Sequence, residues 1–528
     1  MERVAISKKL VLVNSASSAV TTVLNLSVLV WLQQYLLKRI SAEEYSLVPL
    51  IMAIMAFAPL LSTVLTGGIG RFVTVAYAKG DDEEVTRICS TMLPVLAAGG
   101  IAVLAAGWTC AWYVDHLIRI DPGRLWDSRI MMALMVLSTA LQLPAAAYES
   151  GFIVRQKLML QDMIGVACQL LRFLLLFSLL FGVSTRVLWV IVASVTGDLA
   201  NLAISVTVSA RLVPAQRFRW SSIRWSLARE ITNYGGWSLV NQVAQTTKMA
   251  MDPLLLNRFA SALDVATFNV GGIVPRQLPS LVGPLSRPFI PVLAVLAATG
   301  DFTRLRNTYL RTARYNTWVV LAVAVPAMVF NQELMLLYVG GKYQGAAAVM
   351  ALLLVVPIFK ALNAMGPASL AAVGDMRGYS LRQIIVCAVN LPLTILFVAS
   401  LRMGAFGSAA ATLLAAAGLD AAVTWRLCWR TTHTPGIAWV REVLLPTVIP
   451  ALPSALICLS VKYLFGITTW KGLFVVSAVS GLLNLLCIAI VGLREQDRID
   501  IARVADRLPG PAKTLARRLG TIRRRPRQ

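Results

Sequence analysis

Apolar stretches of about 20 residues, the length of helix that crosses a bilayer core, recur along the chain between short polar loops. They predict helices at residues 10–37, 45–66, 88–113, 130–152, 159–181 and 187–208, and again at 231–256, 265–296, 315–339, 346–370, 380–401 and 405–427. Two more follow at 441–465 and 470–493. The fold class is therefore an all-α integral membrane protein with about 14 transmembrane helices. The first run is too long for a signal peptide and is interrupted by Asn14, Ser15, Ser17, Ser18 and Asn25, so it is expected to stay as a span.

The longest hydrophilic stretch outside the tail carries Arg211, Arg217, Arg219, Arg224 and Arg229. It divides the chain into an N-terminal six-helix bundle (1–210), a basic linker (211–230), a C-terminal six-helix bundle (231–430), helices 13 and 14 (431–493) and a basic tail (494–528). An internal repeat at an offset of about 220 residues supports this division: Lys79-Gly80-Asp81 and Thr299-Gly300-Asp301 each sit in the polar loop after an even-numbered helix. Six helices per repeat return the chain to its starting side, so the halves share one topology and are pseudo-symmetric about the membrane normal.

Composition agrees with a bilayer environment. The chain is 57% hydrophobic and 14% charged, with a mean hydropathy of +0.71. Its net charge of +24 excludes a nucleic-acid role rather than suggesting one, because the charge is spread over short loops and the tail instead of forming one basic domain. Of 49 Lys and Arg residues, 33 fall on the side of both termini and 11 in the alternate loops, which places both termini on the cytoplasmic side. Seven scattered cysteines without a CxxC pair, and only His116 and His433, leave no material for a zinc site or a His-based catalytic centre. No cofactor is expected.

The remaining five cations, Arg172, Lys248, Arg276, Arg287 and Lys360, lie inside apolar segments, where a charge costs about 2.5–3.5 kcal/mol at the helix centre. The seventh helix is the least apolar. Tyr234, Ser238, Asn241, Gln245, Lys248 and Asp252 recur at intervals of four and three and share one face, and Asn14, Ser18, Thr21 and Asn25 occupy the equivalent face of the first helix. Two such stripes would line a cavity, although Lys248 and Asp252 at i and i+4 also satisfy each other, and amides also serve as interhelical glue. The eighth segment holds Pro275, Pro279, Pro284, Pro288 and Pro291 with Gly271, Gly272 and Gly283, and is expected to be bent or interrupted. Broken backbone is tolerated at membrane depth where it lines a cavity. Arg172 and Lys360 read equally well as salt-bridged, with Glu149, Asp198 and Asp420 as partners. Arg forks and a Lys charge suit a dehydrated phosphate, while Asn, Gln and Trp237 suit sugar hydroxyls, so the cavity chemistry fits an anionic, sugar-bearing head group. The tail, with eleven Lys or Arg from Arg494 onward, either lies on an anionic leaflet or simply fixes orientation.

Over residues 5–495 the chain resembles Wzx-type polysaccharide flippases of the multidrug/oligosaccharidyl-lipid/polysaccharide exporter superfamily, which have a MATE-like fold. The stretches that carry the resemblance are Ile40-Ser41-Ala42-Glu43-Glu44-Tyr45, Tyr338-Val339-Gly340-Gly341-Lys342-Tyr343, and Met403-Gly404-Ala405-Phe406-Gly407-Ser408-Ala409-Ala410-Ala411-Thr412. The resemblance implies alternating access that passes an undecaprenyl-pyrophosphate-linked oligosaccharide from the inner to the outer leaflet, with a polysaccharide polymerase and export machinery as onward partners. It implies that Lys248, Arg276 and Arg287 hold the head group, with Arg172 and Lys360 after them. Asn25, Asn241 and Gln245 would take sugar contacts, and coupling to a proton or sodium gradient would fall to Asp252, then Asp198 and Asp420. A multidrug or metabolite antiporter and a lipid II-type flippase are the alternatives. The first helix lacks the acidic residues of the former and the basic residue of the latter. A membrane glycosyltransferase, acyltransferase or polymerase would have to draw on His116, Asp121 and Asp127 in the short segment 115–129.

Overall fold

A computed structural model describes residues 39–58, 69–155, 157–286 and 289–494, together with residues 34, 37, 60 and 497. The described chain is almost entirely helical, with no strand among these residues. It forms two compact units, Met1–Ala266 and Thr267–Gln528.

The first unit is built from α1 (Ala42–Met55), α2 (Ile69–Ala78), α3 (Asp82–Trp112), α4 (Leu125–Ala145), α5 (Leu158–Gly182), α6 (Leu188–Leu212) and α7 (Trp225–Phe259). Helix α3 packs along α4, α5 along α6, and α4 against α6, while α7 lies on α1 and α3. Those contacts group α7 with the first unit, although the repeat makes it the opening helix of the second half. The unit's core joins Ile69, Val73, Val85, Met92, Leu143 and Ile231. Leu170, Leu174 and Phe181 on α5 face outward, the inverse of a water-soluble protein and the arrangement lipid requires.

The basic segment between α6 and α7 is threaded along α3. Thr86 donates to Ala215 O at 2.8 Å, Arg219 N donates to Ser90 Oγ at 2.9 Å and Arg224 N to Thr91 Oγ1 at 3.0 Å. Gln216, 2% exposed, donates to Ser150 at 2.7 Å. At the opposite end, Glu44 from the first quoted motif is paired with Arg124 and accepts the Val187 N–H at 2.9 Å, tying the starts of α1, α4 and α6.

The second unit begins within α8 (Ala262–Gly271) and continues through α9 (Ile273–Ser286), α10 (Phe289–Ala298), α11 (Phe302–Val329), α12 (Asn331–Val339), α13 (Ala346–Leu362), α14 (Gly366–Val373), α15 (Met376–Ile395) and α16 (Gly404–Leu413). A π-helical stretch, Leu414–Trp425, extends α16, and α17 (Leu445–Phe465) and α18 (Trp470–Cys487) complete the chain. Around Leu305, Tyr309, Leu310, Leu370 and Trp439 these helices bury the unit's core.

The Gly-Asp turns at 80–81 and 300–301 share one local geometry. Gly80 and Gly300 both adopt left-handed backbone (φ +78° and +71°), and each following Asp caps the next helix, Asp81 accepting Glu84 N at 2.8 Å and Asp301 accepting Arg304 N at 3.0 Å. A third copy, Gly374 (φ +90°) with Asp375 accepting Gly378 N at 3.1 Å, joins α14 to α15.

Nine helices among the described residues are long and apolar enough to cross a membrane, and α11 with the Asn331–Tyr343 segment, bent by 77°, makes a tenth. The predicted span at 10–37 lies outside the described residues, as does much of the end of 45–66. The α7 stripe makes that helix too polar to count by hydropathy alone, and the predicted span at 265–296 is the interrupted segment α8–α10, broken at Gly272. The described residues thus establish the all-helical membrane fold without fixing the number fourteen.

Candidate functional site

The second unit carries the cation with the most distinctive setting. Helices α8 and α9 are separated at Gly272, and Arg276, one turn beyond, folds its guanidinium back onto that glycine. A Cβ at residue 272 would lie 2.6 Å from Arg276 Nη2 and 2.8 Å from its Cζ. The same guanidinium lies over the Phe268 ring, 6.0 Å from its centroid, a cation–π placement. Gly271 does different work: its Cβ would meet Val349 Cγ1 at 2.7 Å and the Ala346 carbonyl at 2.9 Å, so this glycine lets α8 seat directly on α13. The side chain of Arg276 is exposed, able to offer a planar set of donors to a phosphate-like group.

Lys360 is on α13, which packs against α9, and its side chain is also exposed. Counting from the Gly271–Val349 contact, Arg276 is five residues along and Lys360 eleven, so the two levels differ by about 9 Å along parallel helices. The π-helical stretch that also contacts α13 holds Asp420, which accepts hydrogen bonds from Gln383 at 3.0 Å and from Thr424. Nearby, Tyr309 donates to Asn363 at 2.7 Å and Asn363 reaches Cys428 Sγ at 3.6 Å, a buried polar chain crossing the unit's core. The second unit therefore brings Arg276, Lys360 and Asp420 onto helices that touch one another.

In the first unit the candidates fall on two separate helix pairs. Arg172 on α5 is half-buried, and the opposite charge acting on it is Asp198 on α6. Gly197 permits that approach, since a Cβ there would sit 3.0 Å from Arg172 Cβ. This geometry favours the paired reading of Arg172. Lys248 and Asp252 lie one turn apart on α7, Lys248 half-buried and Asp252 only 5% exposed. Asn241 and Gln245 are on the same helix, with side chains outside the described set, and Asn25 and Arg287 lie outside the described residues altogether.

The other quoted motifs have structural roles. Gly340 (φ +71°) ends α12 in a turn an L-side chain resists, and Gly407 lets α16 approach Phe397, whose Cβ would be 3.1 Å from an added Cβ.

Three features escaped the sequence reading. Phe268 looks like any apolar residue until the Gly272 break folds Arg276 over it. Asn257, 5% exposed at the end of α7, accepts Arg119 N at 2.8 Å and donates to Arg119 O at 3.3 Å. Arg314, one of four arginines early in α11, had the look of a loop charge. Its side chain is 4% exposed and makes a two-pronged pair with the wholly buried Asp497 (2.7 and 2.8 Å), supported by Tyr315 Oη at 2.9 Å.

Comparison with known proteins gives consistent results. A family model for polysaccharide biosynthesis proteins matches residues 36–348. EpsK of Bacillus subtilis (strain 168), an uncharacterized membrane protein, is 22% identical over 316 residues, 60% of this chain, and the match spans 62% of EpsK's own length. Among solved structures, the lipid II flippase MurJ in an inward closed conformation superposes with a TM-score of 0.65 at 12% identity, covering 90% of this chain and 98% of MurJ. An inward-facing multidrug resistance transporter of the MATE family gives 0.60 at 13% identity, covering 78% and 95%. A transporter of the same superfamily from Pyrococcus furiosus, described as having a binding pocket of reversed polarity, gives 0.59 at 12% identity, covering 79% and 95%. These likenesses establish the fold that the sequence resemblance implied.

Proposed function

The chain belongs to the polysaccharide biosynthesis protein family, and from that premise we propose that it is a flippase carrying an undecaprenyl-pyrophosphate-linked oligosaccharide from the inner to the outer leaflet of the cytoplasmic membrane by alternating access. The observation that carries the reading is Arg276: an exposed guanidinium held at a helix break over an aromatic ring, a planar donor group of the kind that binds acidic head groups. Lys360 on the adjoining helix and Lys248 on α7 supply further positive charge, and Arg287 completes the set. Arg172, matched to Asp198, has the weaker claim to the substrate. Asn241, Gln245 and Asn25 would contact sugars.

Gradient coupling by protons or sodium falls most naturally to Asp252, buried within the polar face of α7, or to Asp420, already gripped by Gln383 and Thr424. Asp198 is less suited, because Arg172 lies within electrostatic reach of it. Both termini would be cytoplasmic, and the product would pass to a polymerase and export machinery.

The test compares surface polymer and lipid-linked repeat units in cells with and without the protein. Loss of polymer together with accumulation of the lipid-linked unit supports flipping. Unchanged polymer with heightened sensitivity to cationic drugs would move the protein to the antiporter branch of the fold.

A further inference from the structure

The loop Ile118–Arg124 crosses one end of the first unit and is fastened at both of its own ends. At one, Asn257 forms both an accepting and a donating hydrogen bond with the backbone of a single residue, Arg119. At the other, Arg124 pairs with Glu44, whose other carboxylate oxygen holds the Val187 N–H. Ile118, 4% exposed, and Val114, wholly buried, seat the strap on the unit, whereas the Arg119 side chain points away and is exposed. Helix α7, which carries Lys248 and Asp252, is thus tied at its far end to a loop of the first repeat although it opens the second.

We propose that Asn257 is a positioning residue and the Ile118–Arg124 loop the strap of an outer gate, closed in this structure and released when α7 swings to open the cavity outward. The proposal rests on the transport reading above. Its logic is that a side-chain amide gripping backbone is selective yet breakable. At the strap itself two neutral hydrogen bonds are given up, with no buried charge left behind, and the backbone of residue 119 preserves the grip whatever its side chain. The Glu44–Arg124–Val187 staple anchors the strap's other end to elements of the first repeat only and stays closed.

The experiment reads gate opening without any substrate. In a Cys110→Ser background, which removes the exposed native thiol near this end, a cysteine is placed at Thr246, buried on α7 three turns inward from Asn257. Its alkylation by a membrane-impermeant maleimide is timed on intact spheroplasts. Asn257→Ala is expected to raise the rate about tenfold, the shift that loss of roughly 1.4 kcal/mol of closing energy produces, and Arg119→Ala to leave it unchanged. An Asn257→Ala protein that melts like the parent yet alkylates at the parental rate overturns the proposal. Should Asn257→Ala fail to fold, Asn257→Gln, which keeps an amide but moves it by one methylene, is expected to raise the alkylation rate at 246, and a parental rate refutes the gate. Because this readout is independent of polymer export, the gate and the flippase reading fail separately.

Discussion

Gly271 and Gly272 are neighbours of one residue type, yet their surroundings assign alanine substitutions opposite outcomes. A methyl at 271 collides with the Ala346 carbonyl (2.9 Å) and with Val349 (2.7 Å), and backbone cannot step aside without prising α8 from α13. Overpacking of this kind costs about 1–3 kcal/mol, only partly offset by the up to ~1 kcal/mol that alanine gains over glycine in a helix. A methyl at 272 meets first the far end of Arg276, a flexible side chain whose Nη2 would be 2.6 Å away and which gives way by rotating off the Phe268 ring. Losing that placement forfeits about 0.5–1 kcal/mol, which the reduced freedom of the unfolded chain nearly restores. Gly271→Ala is therefore expected to lower the melting temperature in detergent and the amount of protein in the membrane. Gly272→Ala should match the parent in both and still lose polymer export, because the guanidinium no longer stands where the head group needs it. Melting curves with membrane blots and surface-polymer measurements on the same cells decide. Parental stability for Gly271→Ala, or full export with Gly272→Ala, would refute the assignment.

Other expectations follow from the same geometry. Arg276→Ala should abolish export at normal membrane abundance, with Arg276→Lys recovering little because the flat fork and its stacking are lost. Asp497→Ala removes the close, buried partner of Arg314 and leaves it only the more exposed Glu442 carboxylate at 3.8 Å, a destabilisation toward the lower end of about 3–5 kcal/mol by denaturant titration, and the double change Arg314→Met with Asp497→Leu should recover most of it. If Asp420 couples transport to a cation, Asp420→Asn should remove the dependence of export on the gradient while keeping the hydrogen bond from Gln383; gradient-dependent export in that variant would discount Asp420.

Hydropathy revealed the spans because lipid permits one solution, a run of apolar residues closed by its own hydrogen bonds, and every residue of the run advertises it. The break at Gly272 was likewise legible, since proline and glycine act on the backbone locally. Pairings were not. Arg172 and Asp198 are 26 positions apart, and nothing in either helix states which face meets the other until Gly197 is seen to admit the contact. The α7 stripe was visible as polarity at helical spacing, but Asn257 lies off that face in a role no periodicity encodes, because its partner is a backbone and leaves no residue signature. Glu44 stood in a quoted motif without its purpose being apparent, for the same reason: half of what it binds is the Val187 N–H.

The Arg314–Asp497 pair also sets an order on how the protein is made. Its members are separated by 183 residues, so a ribosome that has already delivered α11 to the bilayer must complete seven more helices before the closer, buried carboxylate exists. Until then Arg314 has only the more exposed Glu442, 3.8 Å away, as a counter-charge. Asp497 acts as the final fastening of assembly. Chains that stop between Gly492 and Asp497, with every described span present, would remain open at Arg314 and be marked for membrane quality control.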